Sequence, residues 1–292
     1  MLYTKFRKYF SLLRYCVDQL KAIVKFWKYS GANTSEVKFT RLRTACHILD
    51  KGLNSTPFEK GHGMLIYREA RKLLEEVKDR YQFDDAYLWA EKIVSNYEKA
   101  QRNSFDIENC NPILFTVEER ERLFNAIKAR VSCRNFKKMS ISDDVLKEIV
   151  KIAVDAPNGC CRQTVRYYVL QDTNQIEKCI PDIAGITCFS NIPCLVCVTS
   201  FSPAYDLIDR NLQYVDASLS LENFVLAARA YNIFTTICNV FHASSVQLRH
   251  LKETFCISEA ETIVAVVAMG YSEMTPHKPV RMNVENFIHF CR

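Results

Sequence analysis

The chain has 292 residues, 48% of them hydrophobic and 25% charged, which is enough apolar material for a packed core and the charge content of an ordinary globular protein. Its seven glycines and eight prolines argue against long flexible linkers, and no apolar run approaches the roughly 20 residues of a membrane-spanning helix. The net charge is +6, yet residues 1–29 hold seven Lys/Arg against Asp18 alone. That segment carries the whole excess, so the remainder is near neutral and a basic nucleic-acid groove is excluded.

In chain order, residues 3–29 read as a helix. Phe6, Phe10, Leu13, Val17, Leu20, Val24 and Trp27 recur at three- and four-residue steps, with Arg14, Lys21, Lys25 and Lys28 opposite. Such a basic amphipathic helix either packs on its own protein or lies on an anionic membrane surface, and the first is the commoner outcome. A second helix is predicted from Ser35 to Leu49. The loop from Asp50 to Gly63 then spends three of the seven glycines, which predicts backbone shapes that side chains forbid. Helices follow over 64–81 and 84–102, and the polar stretch 103–111 makes a boundary before Pro112. Residues 1–111 are therefore expected to be all-helical, and residues 112–292 a second domain.

In that second part, Thr116-Val117-Glu118-Glu119 has the form of a capping box opening a helix to Ala129. Arg130, Ser132 and Arg134 then alternate with Val131 and Cys133. In an extended segment alternate side chains share a face, so two guanidiniums and a hydroxyl stand together, a receptor suited to one phosphate. Ser142 caps a helix over 143–155, ended by Ala156-Pro157, and Asn158-Gly159 makes a turn. Strands are predicted over 166–171, 192–199 and 263–270. The stretch 233–240 is either strand or loop, and a short helix opens at Ser244. A helix apolar on most sides spans 216–230, a pattern that calls for burial in the middle of something.

Together, Arg130-Val131-Ser132-Cys133-Arg134-Asn135-Phe136 and Ala156-Pro157-Asn158-Gly159-Cys160-Cys161-Arg162-Gln163 resemble the paired motifs of the nitroreductase family of flavin-dependent oxidoreductases. The strand, long apolar helix, second strand ending in Gly270 and basic segment to Arg281 follow in that family's order. The resemblance implies an α+β fold, a mixed β-sheet flanked by helices, here preceded by the all-helical region. It implies FMN held at the interface of a homodimer, reduced by NAD(P)H and reoxidised by a small-molecule acceptor. By resemblance, Arg130, Ser132 and Arg134 contact the phosphate and ribityl end, as do Lys278 and Arg281. Pro157, Asn158, Cys161 and Gln163 line the ring and its polar edge, and Thr235 and Thr236 pass it on the other side.

Departures from the family pattern fall on the ring contacts. Cys161 stands where the family has Asn, Thr164-Val165 replace Pro-Trp, and Asn232 and Phe234 replace glycines. A thiol is a weaker hydrogen-bonding partner than an amide. The leading expectation is thus an FMN- and NAD(P)H-dependent oxidoreductase, and its rival a flavin-binding or degenerate scaffold whose helical extension recruits a partner. A membrane-surface adaptor, resting on the first helix alone, is a third. Neither a Ser/His/Asp triad nor a zinc spacing is present, so no acid/base residue and no metal are expected. The thirteen cysteines are scattered and odd in number. Cys194 and Cys197 point to opposite faces of a strand, and a reducing cytoplasm is the expected compartment.

Overall fold

The computed structural model describes residues 12–291 apart from 14, 18, 22, 25–26, 30–31, 56–57, 103–111, 210 and 242. The beginning of the expected first helix and the expected boundary at 103–111 therefore lie outside the described residues. Between 12 and 29 the described residues are helical.

The helices from Ser35 to Gln101 share a core of their own. They are α1 (Ser35–Leu53), α2 (Met64–Tyr81) and α3 (Asp85–Gln101). Each begins where a local device permits. Thr34 caps α1 by accepting from the Val37 amide, Asp84 caps α3 by accepting from Ala86, and Gly63 enters α2 at φ 77°. Only a residue without Cβ takes that left-handed conformation freely. Gly61, at φ 79°, does the same, whereas Gly52 continues α1 four residues past Leu49. The reason is packing: Leu53 is buried in the same cluster as Leu42, Cys46, Leu73, Ala90 and Tyr97. Tyr97 closes the glycine loop by donating its hydroxyl to the His62 carbonyl.

Thr116 forms the expected capping box with Glu119 at the head of α4 (Val117–Ala129). Beyond it lie α5 (Asp143–Val154), β1 (Val165–Leu170), α6 (Thr173–Cys179), β2 (Cys194–Phe201), α7 (Leu212–Ala230), β3 (Phe234–Cys238), α8 (Ser245–Thr254) and β4 (Glu261–Gly270). The strands form a sheet in the order β1-β2-β4-β3, with neighbours antiparallel. The expected mixed sheet is thus antiparallel among its four strands, and two isolated parallel bridges, Ser132 with Thr235 and Asn135 with Ser190, stand apart from these strand pairings.

The sheet is covered on both faces, which is why β2 and β4 are apolar almost throughout. Cys194, Val196 and Val198 face Leu146, Ile149, Leu221 and Phe224 of α5 and α7, whereas Leu195 and Cys197 face Ile176 of α6 and Leu251 of α8. The period-two alternation of the strand thus separates the two cysteines, as their odd spacing requires. Phe224 is fully buried and stacks on Tyr167 with ring centroids 4.9 Å apart. After β4 the chain ends in a tail, exposed over most of residues 273–291, that carries a 3-10 turn at Val284–Asn286.

Candidate functional site

The extended segment after α4 lies against β3. The Cys133 amide donates to the Thr235 carbonyl at 3.3 Å, and the Thr236 hydroxyl donates to the Cys133 carbonyl at 2.6 Å. Val131, Cys133 and Phe136 are buried beneath it, so the alternation turns Arg130 and Ser132 outward. There they meet the returning tail. Arg130, Ser132, Thr235, Lys278 and Arg281 line one cavity of about 480 Å³, whose walls include Val225 of α7 and Ile237 of β3. The Lys278 ammonium also donates to the Lys128 carbonyl at 2.7 Å, fastening the tail over the last turn of α4. That carbonyl is one of those a helix end leaves unpaired.

Three cations and two hydroxyls on one concavity form a receptor for a multiply charged anion. Glu222 of α7 opposes them from the same wall. Nothing in the sequence marked Glu222, because it reaches the cavity only through the packing of α7 behind β3.

The second motif is built elsewhere. The Asn158 side-chain oxygen accepts from the Gln163 amide at 3.0 Å, and the Gln163 side-chain amide donates to the Cys161 thiol at 3.3 Å. Cys160, Cys161 and Gln163 all have positive φ, between 51° and 56°. Each such residue other than glycine costs on the order of 1–3 kcal/mol and persists only when its surroundings hold it. Here they do. The Gly159 amide donates to buried Asp216 at 2.9 Å, and Arg162 pairs with Asp209 at 3.1 Å and donates to the Ala204 carbonyl. From α1, the Arg43 guanidinium donates to the Arg162 carbonyl at 2.6 Å. Burial is the largest influence on Arg43 and draws its pKa below the usual arginine value. Asp216 also accepts from Tyr205, whose phenol burial pushes up, so the tyrosine stays a donor. Asp216 and Arg43 were both legible as charges inside apolar helical patterns, but their partners were not.

Of the expected site residues, the structure brings Arg130, Ser132, Thr235, Lys278 and Arg281 to the one cavity. Arg134 does not line it; its guanidinium lies over the Phe189 ring, 5.9 Å from the centroid. Thr236 is held under the segment by Cys133. Pro157, Asn158, Cys161 and Gln163 belong to the strained loop. That loop is anchored at Asp216, six to nine residues before Glu222 and Val225 on α7, or about 9–14 Å along the helix axis.

The model of the family described as Nitroreductase matches residues 127–187 and 187–271. The chain belongs to the nitroreductase family. A relative from Archaeoglobus fulgidus, described as a "putative NADH dehydrogenase/NAD(P)H nitroreductase", is 25% identical over 151 residues, covering 52% of this chain and 86% of the relative. Among solved structures, a nitroreductase-like protein from Streptococcus mutans superposes with a TM-score of 0.53 at 16% identity, over 59% of this chain and all of its own (100%). A protein from Bacteroides thetaiotaomicron with the same printed description as the archaeal relative gives 0.51 at 15% identity, over 58% of this chain and 96% of its own. These superpositions establish the nitroreductase fold for the sheet and its flanking helices. The matched segment begins at residue 127 and ends at residue 271, so the α1–α3 helices, Lys278 and Arg281 all lie outside it.

Proposed function

We propose that this chain is an FMN-dependent oxidoreductase that takes reducing equivalents from NAD(P)H to a small-molecule acceptor of nitro or quinone type. The observation that carries the reading is the convergence of Arg130, Lys278 and Arg281, with the Ser132 hydroxyl, on one cavity beside β3. This donor set fits the doubly charged phosphate of FMN. Arg130 and Arg281 supply planar forks suited to phosphate oxygens, and Lys278 a point charge. Thr235 and Ser132 supply hydroxyls toward the polyol. When bound, the flavin ring supplies the two-electron chemistry; this chain's part is to bind, orient and exclude water.

The same proposal covers the assembly. In the single chain α4 buries none of its residues, leaving Leu123, Phe124 and Ile127 nearly half exposed, and in the tail Val280 and Phe287 are exposed. Apolar surface on this scale marks an interface. A second copy seated on α4, α7 and the tail would cover it and bring its own strained loop, with Asn158, Cys161 and Gln163, toward the ring end of the cavity. Residues 112–292 would then form the flavin-binding domain and residues 1–111 a helical extension gripping the 158–163 loop through Arg43. No described cysteine is in a disulfide, which suits a reducing compartment such as the cytoplasm.

One observation favours the scaffold alternative: the side-chain amide of Gln163 is already engaged by Cys161 within the chain. An absorption spectrum of the purified protein, taken before and after anaerobic NADH and NADPH, separates the two. A yellow protein that bleaches is the expected result. A colourless protein that takes up no added FMN refutes the flavin reading.

A further inference from the structure

Leu13, Val17, Leu20, Val24 and Trp27 recur at steps of 4, 3, 4 and 3 in a stretch whose described residues are helical. At 3.6 residues per turn they form a single stripe. A stripe of this kind ordinarily packs on the rest of its own protein. Here it does not: Val17 is 40% exposed, Leu13, Leu20 and Val24 about 60%, and Trp27 75%. A bond from the Lys21 ammonium to the Ser245 hydroxyl at 3.1 Å ties the stretch to the body, and Val17, Leu20, Val24 and Lys28 line a shallow groove with Glu259. Beside that bond, Phe241 and Arg249 line the same groove as Tyr15, Val17 and Lys21. Phe241 is itself 68% exposed.

Charge decides what covers the stripe. Residues 1–29 carry seven Lys/Arg and one Asp. A second copy of the helix would set one strongly basic segment against another, with a single acid on each to relieve the repulsion. An anionic surface meets the opposite condition. No helix among the described residues is long and apolar enough to cross a membrane, so the contact is one lying in the plane of the interface. In that geometry Leu13, Leu20 and Val24 sink roughly 5–10 Å into the headgroup and acyl boundary. Trp27 takes the interfacial position its ring prefers, and the lysines and arginines lie among the lipid phosphates.

We infer that the helix around residues 12–29 docks this protein on an anionic lipid bilayer, independently of what the reductase domain does. The test is vesicle flotation of the full chain with phosphatidylcholine alone and with phosphatidylcholine containing phosphatidylserine. Flotation only with the anionic vesicles, reversed in 1 M salt where the Debye length falls to about 3 Å, is the expected outcome. Lys28→Gln should lower the partition coefficient about fivefold, and Leu20→Asp should abolish flotation while leaving the thermal midpoint unchanged, because Leu20 is 61% exposed and lies outside the buried core. Absence of flotation with anionic vesicles overturns the inference, as does equal binding to neutral ones. So does a lipid-free oligomer that Leu20→Asp dissociates, which would identify a second copy as the occupant.

Discussion

Removing the Arg130 guanidinium tests the cavity reading most directly. Arg130, Lys278 and Arg281 face one carboxylate, Glu222, across the cavity, a net charge of three minus one, or +2. Arg130→Ala reduces this to +1 and deletes a charge-assisted hydrogen bond to phosphate, a contact worth about 1.5–3 kcal/mol. At 1.4 kcal/mol per decade, the dissociation constant for FMN should rise roughly ten- to hundredfold. Glu222→Gln must act in the opposite direction, because it removes the one repulsive charge; at a partly solvated site the gain is about threefold. Arg134→Ala, whose side chain rests on Phe189 outside the cavity, should change affinity less than Arg130→Ala. The assay is titration of apoprotein with FMN followed by quenching of flavin fluorescence, at two salt concentrations. If Arg130→Ala binds within threefold of wild type, or Glu222→Gln binds more weakly, the phosphate is not where the cavity puts it.

Two further predictions concern stability. Phe224→Ala removes a fully buried ring stacked on Tyr167 and should cost about 3–5 kcal/mol, read as a lower urea midpoint at unchanged slope; a loss under 1 kcal/mol would mean that the two rings do not share a rigid core. Cys46 and Cys194 are pushed by burial from the usual 9.0 up to about 12. Their thiols keep the proton in the folded state where the unfolded chain has lost it, so stability is full below pH 9 and falls as pH rises from 9 toward 12. A urea midpoint that stays flat from pH 9 to 11 contradicts this. In the native protein at pH 8, iodoacetamide should label exposed Cys160, Cys188 and Cys256 and spare Cys46 and Cys194, as peptide mass mapping will show.

The sequence by itself determined what short-range physics controls. The Thr116–Glu119 capping box, the Ser142 and Ser244 caps and the alternation through 130–136 each depend on groups within four residues of one another. For that reason helix starts with a side-chain cap were legible, while the end of α1 and the start of α7, which has no side-chain cap, each lay four residues beyond the expected limit. The paired motifs also pointed to the family. Only the tertiary structure decided which residues share a site. Ser132 meets Thr235 because β3 is held in register with β4, and Lys278 and Arg281 join them because the tail crosses the end of α4. The same packing admits Glu222, draws Arg134 aside, and brings Arg43 from the helical region onto the strained loop. Contacts between residues more than 50 positions apart depend on how layers stack and strands pair, and no local pattern encodes that. The exposed stripe beginning at Leu13 makes the same point from the other side: its periodicity was written in the sequence, but only the folded chain showed that the described residues leave it 40–75% exposed.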